Sequence, residues 1–165
     1  MSNVVPFTTG LYGGDGWGTS TDFDSELCAN GAYITSIKGV NGQFINQVCA
    51  ECSDGKNLGC FSGLNLTDST SKYGLMQLNG FDNVPIRYGS WIDNILGFGG
   101  SGGKPYTLTC PTGTYATGIY GKKSQYIDKL GLKCGYKYST PTPTVVNSTP
   151  TPTVVNSTPT PTVVN

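Results

Sequence analysis

Residues 110–134 read CPTGTYATGIYGKKSQYIDKLGLKC, and residues 28–52 read CANGAYITSIKGVNGQFINQVCAEC. Laid over each other at a constant shift of 82 residues, the two stretches match without a gap. The shared pattern runs Cys28, Gly31, Tyr33, Thr35, Ile37, Gly39, Phe44, Ile45, Asn46, Val48 and Cys52 in the first copy. In the second it runs Cys110, Gly113, Tyr115, Thr117, Ile119, Gly121, Tyr126, Ile127, Asp128, Leu130 and Cys134. The end of the unit, aromatic, Ile, Asp or Asn, any residue, aliphatic, occurs a third time as Trp91, Ile92, Asp93, Asn94 and Ile95. A repeat of this kind is one supersecondary unit used several times, so the chain reads as three-fold.

Within each copy, apolar and polar residues alternate on both sides of a short polar turn: Ala32 to Ile37 and Phe44 to Val48, then Tyr115 to Ile119 and Tyr126 to Leu130. That period of two predicts hairpins with one face buried. Ile37, Ile119, Ile45, Ile92 and Ile127 are expected in the core. Phe44, Trp91 and Tyr126 are expected on the opposite face beside their turns. The composition agrees: 24 Gly, ten Tyr, six Phe and two Trp in 165 residues suit strands and turns, and no long stretch shows an apolar period of 3.6. Glycine-rich segments precede the cysteine units, Gly13, Gly14, Asp15 and Gly16 before the first and Gly99 to Gly103 before the second.

These residues resemble the jacalin-related lectins, most closely over 96–134, where GFGGSGGKPYTLT leads into the YID unit. The resemblance spans roughly residues 8 to 137 and is weakest around Tyr73 to Pro85. It implies an all-β fold, a β-prism of three four-stranded Greek-key sheets about a pseudo-three-fold axis, for residues 1–138.

Residues 139–165 are STPTPTVVN three times over, a Pro/Thr-rich array that buries no apolar face and is expected to be an extended linker or stalk. Ending flush on a repeat, the array is expected to continue past residue 165. Sequons occur at Asn147, Asn156 and Asn65. The N-terminus MSNVVPFTTG lacks the basic and apolar regions of a secretory signal.

The cysteines nevertheless point to an oxidising compartment. Equal spacing in two copies predicts disulfides Cys28 to Cys52 and Cys110 to Cys134. Cys49 and Cys60, without counterparts, are left for a third bond. Reduced thiols, or zinc on Cys49, Cys52 and Cys60, are the alternatives, the latter short of a fourth ligand in a chain without histidine. Secretion, an unusual export route and a virion surface all fit.

Formal net charge is zero, from ten basic and ten acidic residues without runs, so neither nucleic acid nor an anionic membrane is an expected partner. No apolar run is long enough for membrane insertion. Without histidine, the Ser-His-Asp, Cys-His and His-metal centres are excluded. Paired carboxylates such as Asp22 with Asp24 remain for glycosidase chemistry, but acids repeated on three sheets stand too far apart to flank one bond. The glycine loops are followed by no Gly-Lys-Ser or Gly-Lys-Thr and open no helix, so the phosphate-binding fingerprints fail. An enzyme is therefore not expected, and neither is a metal or cofactor.

What remains is a neutral polar ligand. A carboxylate accepts hydrogen bonds from neighbouring sugar hydroxyls, and an aromatic ring covers an apolar sugar face. The family resemblance implies a G-x-x-x-D turn paired with a glycine loop. Gly89, Ser90, Trp91, Ile92 and Asp93 match it fully, followed by Gly99 and Gly100. Ser124, Gln125, Tyr126, Ile127 and Asp128 match with Ser for Gly, and by the circular order of the prism pair with Gly13, Gly14 and Gly16. Gly42, Phe44 and Asn46 form a weaker third turn, its loop expected at Gly55 and Gly59, because an amide offers one acceptor where a carboxylate offers two. The expected order of strength is Asp93, Asp128, Asn46. The expectation is a carbohydrate-binding domain for mannose- or glucose-type glycans or glycoproteins in adhesion or surface attachment, with self-association left open. The competing reading is a structural or protein-binding β-prism, such as a virion or matrix component, that binds no sugar.

Overall fold

A computed structural model describes residues 7–65, 72–77 (backbone only) and 80–136; the tail at 139–165 lies outside the described residues. In chain order the strands are β1 (Phe7–Thr8), β2 (Tyr12–Gly13), β3 (Thr21–Asp24), β4 (Ile34–Asn41), β5 (Ile45–Cys52), β6 (Asn57–Ser62) and β7 (Lys72–Gln77). They continue as β8 (Asn83–Tyr88), β9 (Ile92–Ile95), β10 (Phe98–Gly99), β11 (Lys104–Thr109), β12 (Thr114–Lys123) and β13 (Ile127–Tyr136). All the pairings are antiparallel, and no helix occurs among the described residues.

Three sheets form. One has the order β6-β5-β4-β7 and another β10-β9-β8-β11. In each, three successive strands meander and the fourth returns beside the first, which is a Greek key. The third sheet joins the two ends of the chain: β1 and β2 both pair with β13, then follow β12 and β3. Taken from β12 through β13 to β1/β2 and β3, it is the same Greek key opened across the termini. Its edge strand is broken in two at 9–11, so five strands fill four positions. The β-prism implied by the family resemblance is the architecture found.

The alternation predicted from sequence holds where it positions the core. Ile37, Ile45, Ile92, Ile119 and Ile127 are all buried, together with Ile34, Val48, Ile86, Leu108, Leu130 and Leu132. The three hairpins β4–β5, β8–β9 and β12–β13 supply most of this interior, so the strands that build the core also carry the turns.

All six cysteines are bonded, Cys28 to Cys52, Cys49 to Cys60 and Cys110 to Cys134. The bonds in the two copies each tie the segment entering a hairpin to that hairpin's second strand, with Cα atoms 5.7 Å apart in both. Cys49 and Cys60 face each other across β5 and β6. No helix among the described residues is long and apolar enough to cross a membrane.

Candidate carbohydrate site

Each of the three hairpins carries a β-bulge at the same point. In β4–β5 the register passes from Val40 opposite Gln47 to Asn41 opposite Ile45. In β8–β9 it passes from Arg87 opposite Asn94 to Tyr88 opposite Ile92, and in β12–β13 from Lys122 opposite Lys129 to Lys123 opposite Ile127. The residues skipped are Asn46, Asp93 and Asp128, the acid position of the repeat. A bulge inserts one unpaired residue and re-aims its side chain. This is why Ile and acid are buried side by side in all three copies, against the strict alternation of a flat strand.

The turns themselves are equivalent. Gly42 N–H donates to Phe44 O at 3.0 Å, Gly89 N–H to Trp91 O at 2.9 Å and Ser124 N–H to Tyr126 O at 2.9 Å. None of the three opening residues has a positive φ, so serine at position 124 enters the turn without backbone strain.

A loop closes on each bulge. Gly100 N–H donates to Asp93 O at 2.8 Å, Gly14 N–H to Asp128 O at 3.0 Å and Gly63 N–H to Asn46 O at 3.0 Å. The carbonyl freed by the bulge is thus taken by a loop amide. Contact is too close for a side chain: a Cβ on Gly99, whose φ is +118°, would stand 2.2 Å from Asp93 O. The third loop is therefore at Gly63 to Asn65, which corrects the expectation of Gly55 and Gly59. Those two glycines belong to the β5–β6 hairpin and have open space where a Cβ would be.

The loops also interlock around the prism axis. Gly16 N–H donates to Ser90 O at 2.8 Å, while Leu64 N–H and Asn65 N–H donate to Ser124 O and Gln125 O at 2.9 Å each. Gly100 packs so tightly against Gln43 that a Cβ there would stand 2.2 Å from its carbonyl oxygen. Each loop serves its own bulge and braces the next turn. The amides of Gly14, Gly16, Gly63 and Gly100 are consequently used within the protein.

Inside this ring the three repeated aromatics meet. Ring centroids are 4.8 Å apart for Phe44 and Trp91, 4.9 Å for Phe44 and Tyr126, and 5.1 Å for Trp91 and Tyr126. The rings do not stand apart beside separate turns, as alternation alone suggests. They close the end of the prism by packing on one another, since burying three large apolar faces together outweighs leaving each in water.

The three acid positions differ sharply in their side-chain partners. Asp128 is fully buried and both oxygens are occupied: Ser124 Oγ donates to Oδ1 at 2.7 Å and Ser20 Oγ to Oδ2 at 2.9 Å. Asn46 is also fully buried; its Nδ2 donates to Asn65 O at 2.7 Å and its Oδ1 has no partner. Asp93 is buried with Oδ1 unpartnered, and the space beside Oδ2 is left by Gly102 and Gly103, where a Cβ on either would come within 2.9 Å. Trp91 Nε1, two residues away, is a buried donor without an acceptor.

Arg87 secures this corner. Its Nε donates to Gly102 O at 3.0 Å and its Nη2 to Gly103 O at 2.8 Å, pinning the loop that covers Asp93. Asn94 holds the other limb, donating from Nδ2 to Gly100 O at 3.1 Å and accepting from Gly97 N–H at 2.8 Å. Burial pushes the Asp93 carboxyl above its ordinary value of 3.8, and the Arg87 charge partly offsets the rise.

Of the residues expected at the site, Gly89 to Asp93 come together with Gly99 and Gly100, and Ser124 to Asp128 with Gly13, Gly14 and Gly16. Gly42, Phe44 and Asn46 form the third equivalent turn. Ser20, Gly63, Asn65 and Arg87 escape a reading of the sequence, because each acts across a gap set by the fold. Asp22 and Asp24 are each ion-paired on the terminal sheet, Asp22 with Lys122 at 2.7 Å and Asp24 with Lys133. Both line one cleft on that sheet together with Lys122 and Lys133, so each carboxylate there is held by a lysine.

No protein-family model and no curated protein matches the chain. Solved structures do. A mannose-specific jacalin-related lectin from Morus nigra, determined in complex with mannose, superposes with a TM-score of 0.61 at 16% identity, covering 78% of this chain and 93% of that one. The Calystegia sepium agglutinin gives 0.61 at 17% identity over 79% and 97%, and an artocarpin–mannotriose complex 0.61 at 14% over 78% and 97%. With three Greek keys, one of them closed across the chain ends, and these neighbours, the chain has the fold of the jacalin-related lectins.

Proposed function

We propose that this domain binds neutral glycans, of the mannose or glucose type, through the Asp93 turn, and that it serves adhesion or surface attachment. The observation that carries the reading is the Asp93 carboxylate, buried on a bulge with one oxygen lacking a donor beside a side-chain-free glycine loop. An unsatisfied buried acceptor costs about 1–3 kcal/mol, which a ligand hydroxyl recovers on binding. Admission of a hydroxyl requires a small shift of the Gly100 to Gly103 loop, and glycine at three of these four positions makes that shift easy.

The same geometry ranks the other turns. A ligand at Asp128 has to displace Ser20 and compete with Ser124, both of which already donate where sugar hydroxyls would. A ligand at Asn46 meets a neutral amide whose donor is already engaged. One competent site per chain is the result. The mannose and mannotriose complexes among proteins of this fold support the choice of sugar. The three disulfides fit an oxidising, extracellular setting.

A structural β-prism that binds no sugar is the second reading, favoured by the internal capping of Asp128. A glycan array separates the two: binding to mannose- or glucose-terminated glycans that Asp93→Ala removes supports the lectin, and silence across the array at high protein density supports the structural role.

A further inference from the structure

Trp17 is the most exposed aromatic residue among those described, with 65% of its surface in water. A large apolar ring standing free on a small surface is a feature that needs a reason. It is not on a loose arm: the preceding Gly16 N–H is bonded to Ser90 O at 2.8 Å, inside the Gly89 to Asp93 turn. The Trp17 ring lies against Trp91 at 5.5 Å between centroids and 47° between planes. It therefore rests on the aromatic cluster that closes the prism, with one side on Trp91 and the remainder open. Gly18, which follows, has nothing within reach of a Cβ, so the surface beyond is unobstructed.

The residue comes from the terminal sheet, yet it stands next to a turn of another. Gly16 itself touches both neighbours, since a Cβ there would come within 2.4 Å of Asp128 Oδ1. Trp17 thus borders the Asp93 turn on the side facing the axis. Two unpaired buried groups lie in that turn, the acceptor Asp93 Oδ1 and the donor Trp91 Nε1.

We propose that the Trp17 indole is a second, aromatic subsite, taking the apolar face of the neighbouring pyranose in an oligosaccharide whose terminal residue is held at Asp93. The inference rests on the Asp93 reading of function and adds a ligand class to it: chains of two or more sugars rather than single residues. The face of a flat indole offers apolar area to a C–H face of the neighbouring ring, so it contributes to the extended ligand alone.

The test is calorimetric titration of the wild-type protein, Trp17→Ala and Asp93→Ala with methyl α-mannoside and with mannotriose, alongside tryptophan emission. The expected result is that wild type prefers mannotriose by about 3- to 10-fold, the range of one aromatic contact. Trp17→Ala is expected to bring the two ligands to equal affinity while leaving the monosaccharide within about twofold, and Asp93→Ala to lose both. Mannotriose is expected to blue-shift the emission, because the exposed Trp17 becomes covered while Trp91 is buried already. If wild type and Trp17→Ala bind both sugars through Asp93 with the same preference, the subsite is refuted and the lectin reading stands. If wild type binds neither sugar, both fall together.

Discussion

Replacing Ser20 by alanine separates the structural and binding roles of the acid turns. The Ser20 hydroxyl donates to Asp128 Oδ2 at 2.9 Å, while Ser124 holds the other oxygen at 2.7 Å. Loss of a hydrogen bond to a charged group costs about 1.5–3 kcal/mol when nothing replaces it. Ser20 is only partly buried, so water enters and the expected cost lies at the low end, about 1.5 kcal/mol, or roughly 5 °C in Tm for a domain of this size. The same change frees an acceptor on a fully buried carboxylate and opens the space that a sugar hydroxyl would occupy. Calorimetry on Ser20→Ala is therefore expected to show mannoside stoichiometry rising from one toward two per chain. The added sites should vanish in Ser20→Ala combined with Asp128→Ala. A variant with unchanged Tm would show that the hydroxyl is not holding the carboxylate. A destabilised variant still binding one sugar would show that capping is not what closes the second site.

Asp93 gives a pH signature: its folded pKa is raised, so the native state favours the neutral acid, and stability from this group is present at low pH and lost as pH rises through that pKa. Asp93→Asn is accordingly expected to raise Tm at neutral pH, the gain shrinking below about pH 4, while sugar binding in wild type falls off on acidification at a pH above the ordinary Asp value of 3.8. Arg87→Ala releases the carbonyls of Gly102 and Gly103 and removes the charge near Asp93; affinity should drop about tenfold with Tm changed by only a few degrees, since the arginine is only partly buried. Cys110→Ser with Cys134→Ser opens a loop of 24-residue separation, and a loss of about 3 kcal/mol is expected by thermal unfolding. Peptide mapping without reduction should recover all three bonds, and free thiol at Cys110 or Cys134 would overturn the pairing.

The fold was legible because the repeat keeps its spacing without a gap. A 25-residue unit with matching cysteines reveals two hairpins directly, and Trp91 to Ile95 marks a third whose first strand, β8, shares little with the others. The bulge was not legible. Buried Ile followed by buried acid breaks the period of two, and without the register one reads the aromatic before it as pointing to the opposite face. The third loop was misplaced for a related reason: Gly55 and Gly59 are glycines that turns require, whereas Gly63 is the one that approaches a bulge carbonyl. Ser20 and Arg87 carry no local signal at all. Ser20 reaches Asp128 across 108 residues of chain, and Arg87 reaches Gly102 across 15, so their roles exist only after the sheets have closed.

A crystal structure with methyl α-mannoside bound tests the central claim most directly. The account predicts one sugar per chain at the Asp93 turn, with a ring hydroxyl within about 2.5–3.0 Å of Asp93 Oδ1 and the Ser20 and Ser124 contacts to Asp128 unchanged. A sugar bound at Asp128 with Ser20 displaced, or at Asn46 with Asp93 Oδ1 still without a donor, would contradict it.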